Sequence, residues 1–175
     1  MVIAYLGLGA NLGDAPQTLK EAVIDLAQCP NVTPVSHSSL YRSQPYQADG
    51  PDFFNMVVSV ETSLDAQRLY AICAGIETKF GRKRSYRNAP RTLDIDLLLY
   101  GDQRLASVDL VIPHPRMTER AFVLHPLLEL VPDLTIPVLG AISQFLPDVA
   151  GQVIEKIATP PFCMGSFATV TSSQK

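Results

Sequence analysis

The chain has 175 residues, 47% hydrophobic and 18% charged, enough apolar material for a buried core and too little charge density for a globally disordered chain. Fourteen Lys and Arg against 17 Asp and Glu leave a net charge of −3, which argues against a protein held mainly to nucleic acid. Cys29, Cys73 and Cys163 form no C-x-x-C pair, no run is long enough to span a bilayer, and the apolar start at Met1–Leu6 lacks the basic leader of a signal peptide. The expectation is a cytoplasmic, monomeric single domain over residues 1–165, with a loose polar tail at 166–175.

Residues 2–8 are an apolar run ending in glycines, the pattern of a buried strand leaving through a tight loop. Asp14, with Gln17 three residues on, predicts a helix start; Leu19, Ala22, Val23 and Leu26 mark its apolar face, and Pro30 stops it. Val32 to Tyr41 and Phe54 to Thr62 read as strands, separated by a loop containing Pro45, Gly50 and Pro51. A second helix begins at Ser63 or Asp65, presents Leu69, Ile72, Cys73, Ile76 and Phe80 on one side, and ends at Gly81. Leu93 to Tyr100 is another strand, closed by the turn dipeptide Gly101-Asp102. The order β-α-β-β-α-β predicts an α+β, ferredoxin-like core: an antiparallel sheet with both helices on one face and the other face left for a ligand. Residues 117–131 and a short stretch near Ala141 to Phe145 predict C-terminal helical additions.

Asp94 and Asp96 lie two apart on a predicted strand, so both face one side, about 6 to 7 Å apart at the backbone, while Leu93, Ile95, Leu97 and Leu99 face the core. Two ionised carboxylates side by side repel one another and invite a hard divalent cation, such as magnesium, that also takes phosphate oxygens. Directly upstream, Lys79 to Arg91 holds six cations and no acid, among them Arg82, Arg84, Arg87 and Arg91. Arginine forks match phosphate oxygens, so loop and carboxylates together point to a nucleotide phosphate site. Gly7-Leu-Gly-Ala-Asn-Leu-Gly13 departs from the dinucleotide fingerprint, its third glycine coming one residue late, and is read as permitting a tight turn into the first helix. Tyr46, Phe53, Phe54 and Asn55 offer rings and an amide for a flat heterocycle; Phe53 and Phe54 face opposite ways, and Asn55 faces with Phe53. His114, held between Pro113 and Pro115, and Arg120 could join a phosphate site or be structural.

Arg87-Asn-Ala-Pro-Arg-Thr-Leu-Asp-Ile-Asp-Leu-Leu98 resembles the signature of the 6-hydroxymethyl-7,8-dihydropterin pyrophosphokinase family. The resemblance extends to Tyr5–Gly13, Ser39–Ser43, Pro51–Asn55, Ile76-Glu77 with Gly81-Arg82, and Pro113-His114 through Phe122, covering roughly residues 2–135. It implies a folate-pathway enzyme that moves the terminal pyrophosphate of ATP onto the hydroxymethyl group of a reduced pterin, releasing AMP. By the same resemblance, Asp94 and Asp96 hold two magnesium ions, with Asp96 also near the attacking hydroxyl. Arg82 and Arg91 neutralise charge on the transferring group. Arg84, Arg87, His114 and Arg120 hold phosphates, and Glu77 and Leu97 border the adenosine. The pterin lies between Phe53 and Phe122, read by Asn55 and lined by Ser43, Gln44 and Tyr46, while loops around Tyr46 and Arg87 close to exclude water. Two other readings carry distinct expectations. A ferredoxin-like RNA-binding module would use the basic loop but lacks the aromatic signature; an inactive relative would bind pterin without turnover.

Overall fold

A computed structural model of the chain describes residues 1–45, 50–81 and 92–157. The expected basic loop from Arg82 to Arg91, Tyr46 and the polar tail lie outside the described residues. The first strand, β1 (Val2–Ala10), leads into α1 (Ala15–Gln28), whose start is capped as expected: the Gln17 N–H donates to Asp14 Oδ1 at 3.1 Å. Gly13, at φ +63°, supplies the turn between them.

The predicted strand over Val32 to Tyr41 is two strands, β2 (Val32–His37) and β3 (Leu40–Ser43), end to end along the same edge of β4 (Phe53–Thr62). Ser38 makes the jog: its N–H donates to the Val57 carbonyl at 2.8 Å, and its hydroxyl accepts the Val57 N–H at 2.9 Å. A side-chain oxygen thus stands in for a backbone carbonyl of a continuous strand. The second helix, α2 (Ala66–Lys79), is capped by Asp65 and ends at Gly81 with φ +79°. It is followed by β5 (Asp94–Tyr100).

Two short hairpins come next in part: β6 (Leu105–Ala106) with β7 (Val111–Ile112) before the last long helix, and β8 (Thr135–Ile136) with β9 (Gly140–Ala141) after it. The expected helix over 117–131 is a 3-10 turn, Met117–Glu119, then α3 (Ala121–Leu130). At the break, the Gln152 side chain accepts the Ala121 N–H at 2.9 Å and donates to the Glu119 carbonyl at 2.7 Å, so the interruption leaves these groups bonded. Near Ala141 to Phe145 the structure has a 3-10 turn, Ile142–Phe145, running into α4 (Leu146–Val149), and β10 (Ile154–Ile157) closes the described chain.

The main sheet runs β10-β3-β4-β1-β5, with β2 also on β4, and all its pairs are antiparallel. This is the ferredoxin-like order, extended by β10. Alternation along each strand divides the side chains. Leu6 and Leu8 of β1, Met56 and Val58 of β4, and Ile95 and Leu97 of β5 pack against α1 and α2. Each fully buried leucine among them contributes roughly 1.5–3 kcal/mol. Lys79, counted with the basic segment, bonds Asp25 of α1 at 2.7 and 2.9 Å and so ties the two helices together.

The opposite face is only partly open. Val57, Leu98 and Leu99 are covered there by α3 and its neighbours in a second apolar cluster with Met117, Leu124 and Ile142. Leu99, expected on the helix side with Leu97, belongs to this second cluster. The register of β5 against β1 skips Leu98, with Tyr5 opposite Leu99 and Leu6 opposite Leu97, and that bulge reverses the alternation.

Candidate active site

On the uncovered part of the second face, the strands bring residues from distant parts of the sequence next to one another. Asp94 and Asp96 stand opposite Gly9 and Gly7 of β1, and Gly9 in turn stands opposite Asn55 of β4. The carboxylates alternate with buried Ile95 and Leu97 as the sequence predicts, and both are half-buried. Gly7 and Gly9 are not the turn expected of them. They lie inside β1 and face the site, where a Cβ on Gly9 would stand 3.1 Å from Asn55 Oδ1 and one on Gly7 3.3 Å from the Leu98 side chain. Their missing side chains leave the surface between Asn55 and the aspartates low.

Asn55 is buried and donates from Nδ2 to the Ser43 hydroxyl at 2.9 Å. Phe53 faces with it and Phe54 packs into the helix-side core, as alternation requires. Gln44 is exposed beside Ser43. The third site-facing position of β1 and its continuation is Asn11, which sequence reasoning passed over. It is 5% exposed and donates to the Pro51 carbonyl at 3.2 Å, tying the end of β1 to the segment that enters Phe53. Its signal was the period-two spacing of residues 7, 9 and 11.

The segment before α3 supplies the cationic side. The His114 N–H bonds the Leu98 carbonyl at 2.9 Å, which sets the ring beside β5. His114 Nδ1 accepts the Arg116 N–H at 3.2 Å, so Nε2 carries the proton of the neutral ring and faces Asp96 Oδ2 at 3.8 Å, too far for a hydrogen bond. Burial holds the His114 pKa below its ordinary value, against the pull of Asp96 toward the charged form. Arg120 Nη1 donates to the same Asp96 oxygen at 3.2 Å, and its guanidinium lies 5.6 Å from the centre of the Phe122 ring. One cation therefore links a carboxylate to an aromatic wall.

Of the other expected residues, Glu77 and Leu97 are brought elsewhere. Their side chains are buried on the helix side of β5, and Glu77 accepts the Ile95 N–H at 2.7 Å. Arg82, Arg84, Arg87, Arg91 and Tyr46 lie outside the described residues. Among the described residues no three His, Cys, Asp or Glu side chains gather as a metal cluster, and no helix is long and apolar enough to cross a membrane.

The family model described as 7,8-dihydro-6-hydroxymethylpterin-pyrophosphokinase matches residues 5–132. This chain belongs to that family. A 2-amino-4-hydroxy-6-hydroxymethyldihydropteridine pyrophosphokinase of Methylorubrum extorquens is 43% identical over 137 residues, 78% of this chain and 87% of that protein. The Haemophilus influenzae pyrophosphokinase of the same name is 37% identical over 158 residues, 90% of this chain and 99% of its own. Among solved structures, a crystal structure of HPPK-DHPS in complex with substrates superposes with a TM-score of 0.66 at 15% identity, over 83% of this chain and 43% of the longer chain. That likeness carries the fold: the same sheet recurs within a chain nearly twice as long.

Proposed function

We propose that this chain transfers the terminal pyrophosphate of ATP to the hydroxymethyl group of 6-hydroxymethyl-7,8-dihydropterin, in folate biosynthesis, and does so at the open part of the second sheet face. The hydroxymethyl oxygen attacks the β-phosphorus and gives up its proton to solvent, the bond from that phosphorus to the bridging oxygen of the α-phosphate breaks, and AMP leaves with that oxygen. The observation that carries the reading is the level shared by Asn55, Gly9 and Asp94 across three strands, with Asp96 one step further along on the same face, opposite Gly7, so that the two glycines floor the space between amide and carboxylates. It supports a reading in which a flat polar heterocycle lies beside a phosphate-handling pair on one face of the sheet.

In this reading Phe53 and Phe122 take the faces of the pterin, Asn55 its polar edge, and Ser43, Gln44 and Tyr46 the rim. Ser43 fixes the Asn55 amide by accepting one of its protons, so the other N–H and the carbonyl remain oriented for a ligand. Asp94 and Asp96 are hard oxygen donors on one face, a set that suits magnesium, which takes one or two carboxylates together with phosphate oxygens. Two such ions would offset triphosphate charge during transfer. Arg120 and His114 flank Asp96 and would hold phosphates, with Arg84 and Arg87; Arg82 and Arg91 would neutralise the transferring group. Glu77 and Leu97 would border the adenosine by way of the outer edge of β5. The enzyme acts as a cytoplasmic monomer.

Purified protein incubated with ATP, magnesium and the pterin should release AMP only when all three are present, and a chelator should stop it. ADP in place of AMP would overturn pyrophosphoryl transfer. Pterin binding with no nucleotide product would favour the ligand-binding relative instead.

A further inference from the structure

β5 is the last strand of the sheet. β1 pairs with one of its edges, and among the described residues no strand pairs with the other. Backbone donors on such an edge usually meet water, yet Ile95 is 3% exposed, with its side chain in the helix-side core. Its N–H is instead donated to Glu77 Oε1 at 2.7 Å, across 18 residues of sequence. Glu77 sits in the last turn of α2 and is itself 3% exposed. Burying a carboxylate is costly, and an aliphatic side chain would serve the packing of α2 better. Among the things the carboxylate supplies is an acceptor for a strand edge that no other described strand pairs with, at the one residue standing between Asp94 and Asp96.

We infer that Glu77 is a positioning residue for the carboxylate pair: by bonding Ile95, it fixes the start of β5 so that Asp94 and Asp96 are presented together on the site face. The inference rests on the reading of those two carboxylates as the metal-holding pair. Three constraints meet at Ile95: pairing of β5 with Leu8 of β1, burial of the side chain, and the bond to Glu77. Asp94 is the first residue of the strand, so the third constraint acts where the strand would otherwise fray. A rotation of the Ile95 peptide turns its two flanking side chains with it. Glu77 thereby acts through β5 and not by touching the reacting atoms.

The test compares Glu77→Leu, which removes the acceptor, with Glu77→Gln, which keeps an amide oxygen in the same place. Three quantities are read: hydrogen exchange at the Ile95 amide, Mn2+ binding at a saturating concentration of a non-hydrolysable ATP analogue, so that a change in adenosine affinity does not enter, and kcat with KM for the pterin. In Glu77→Leu, Ile95 protection should be lost, Mn2+ should bind at least tenfold more weakly, and kcat should fall by a similar factor with the pterin KM within about twofold of wild type. Glu77→Gln should recover most of each. Wild-type Mn2+ affinity in folded Glu77→Leu overturns the inference, as does a Glu77→Gln protein that keeps Ile95 protected yet loses Mn2+ binding. Should Glu77→Leu not fold, the second of these outcomes still decides. Absence of Mn2+ binding by the wild-type protein would overturn the metal reading itself and this inference with it, whereas the variant outcomes bear on Glu77 alone.

Discussion

The two faces of the sheet are built by the same strands and differ in what they tolerate. On the helix face, β1 contributes Ala4, Leu6 and Leu8, all at most 2% exposed, and the neighbouring strands answer with aliphatic side chains of matching size. On the other face the same strand contributes Gly7 and Gly9 and, beyond its end, Asn11; its neighbours contribute Asn55, Asp94 and Asp96. One side is filled along its length by buried apolar side chains, while the other is filled only where α3 and its neighbours cover it. The open part is not simply an exposed remainder, because its groups are held: Asn55 by Ser43, Asn11 by Pro51, Asp96 by Arg120. Stability and chemistry are thus separated by a strand's thickness, with Glu77 the buried charge that reaches from one to the other.

Substitutions can push on this separation. Asp96→Ala should lower turnover by three orders of magnitude or more with no loss of thermal stability, since it removes a proposed metal ligand while relieving carboxylate repulsion; retained turnover would remove the metal assignment, and a collapsed fold would show that the open face also carries stability. Leu8→Ala, one residue from Gly9 but on the other side, should cost about 2–5 kcal/mol in urea unfolding while the folded fraction keeps its KM for the pterin. Gly9→Ala should do the reverse. A methyl 3.1 Å from Asn55 Oδ1 displaces the amide from Ser43, so the pterin KM should rise several-fold with the melting temperature within a few degrees of wild type. Similar stability losses in Leu8→Ala and Gly9→Ala would erase the distinction between the faces.

The smallest effect concerns how α3 is held over the covered part. Glu129 accepts from the Ser39 N–H at 3.1 Å and hydroxyl at 2.7 Å and from the Tyr41 hydroxyl at 2.7 Å, and it pairs with Lys156 at 3.2 Å, joining α3 to β3 and β10. Burial alone would raise its pKa, but these bonds hold it below the ordinary glutamate value, while burial and the Glu129 bond push Tyr41 up. A carboxylate whose pKa is lowered by folding contributes stability above its unfolded pKa and loses it as pH falls through the folded one. Glu129→Gln should therefore melt a few degrees below wild type at neutral pH, and the gap should close in acid, below the usual glutamate range. A gap that stays constant with pH would mean that the charge of Glu129 is not what ties α3 down.

Much of this was legible in the sequence, and what was legible is local. The Asp14 cap, the apolar face of α1, the alternation that sends Ile95 inward and Asp94 outward, and the division of Phe53 from Phe54 follow from periodicities within a few residues. What could not be read depends on partners far along the chain. The break at Ser38 needs Val57 opposite it, the division between the 3-10 turn and α3 needs Gln152, and the edge bond of Ile95 needs Glu77. Gly7 and Gly9 fell between the two cases. Their spacing was visible, but glycine suits a turn as well as a cleared strand face, and only the residues opposite distinguish them.

The extra residue that Leu98 inserts into β5 has a bearing on how this chain can vary. Ahead of it, even-numbered positions face the site; behind it, Tyr100 faces the helices and donates its hydroxyl proton to the Leu64 carbonyl at the entry to α2. The bulge is what lets one strand begin with two carboxylates on one side and end with an anchoring phenol on the other. Exchanges of side chain among Leu97, Leu98 and Leu99 leave that phase intact, but losing a single codon between Asp96 and Tyr100 would force either the phenol or the carboxylates onto the wrong side. Descendants of this sequence can therefore drift in composition along β5 far more freely than in length.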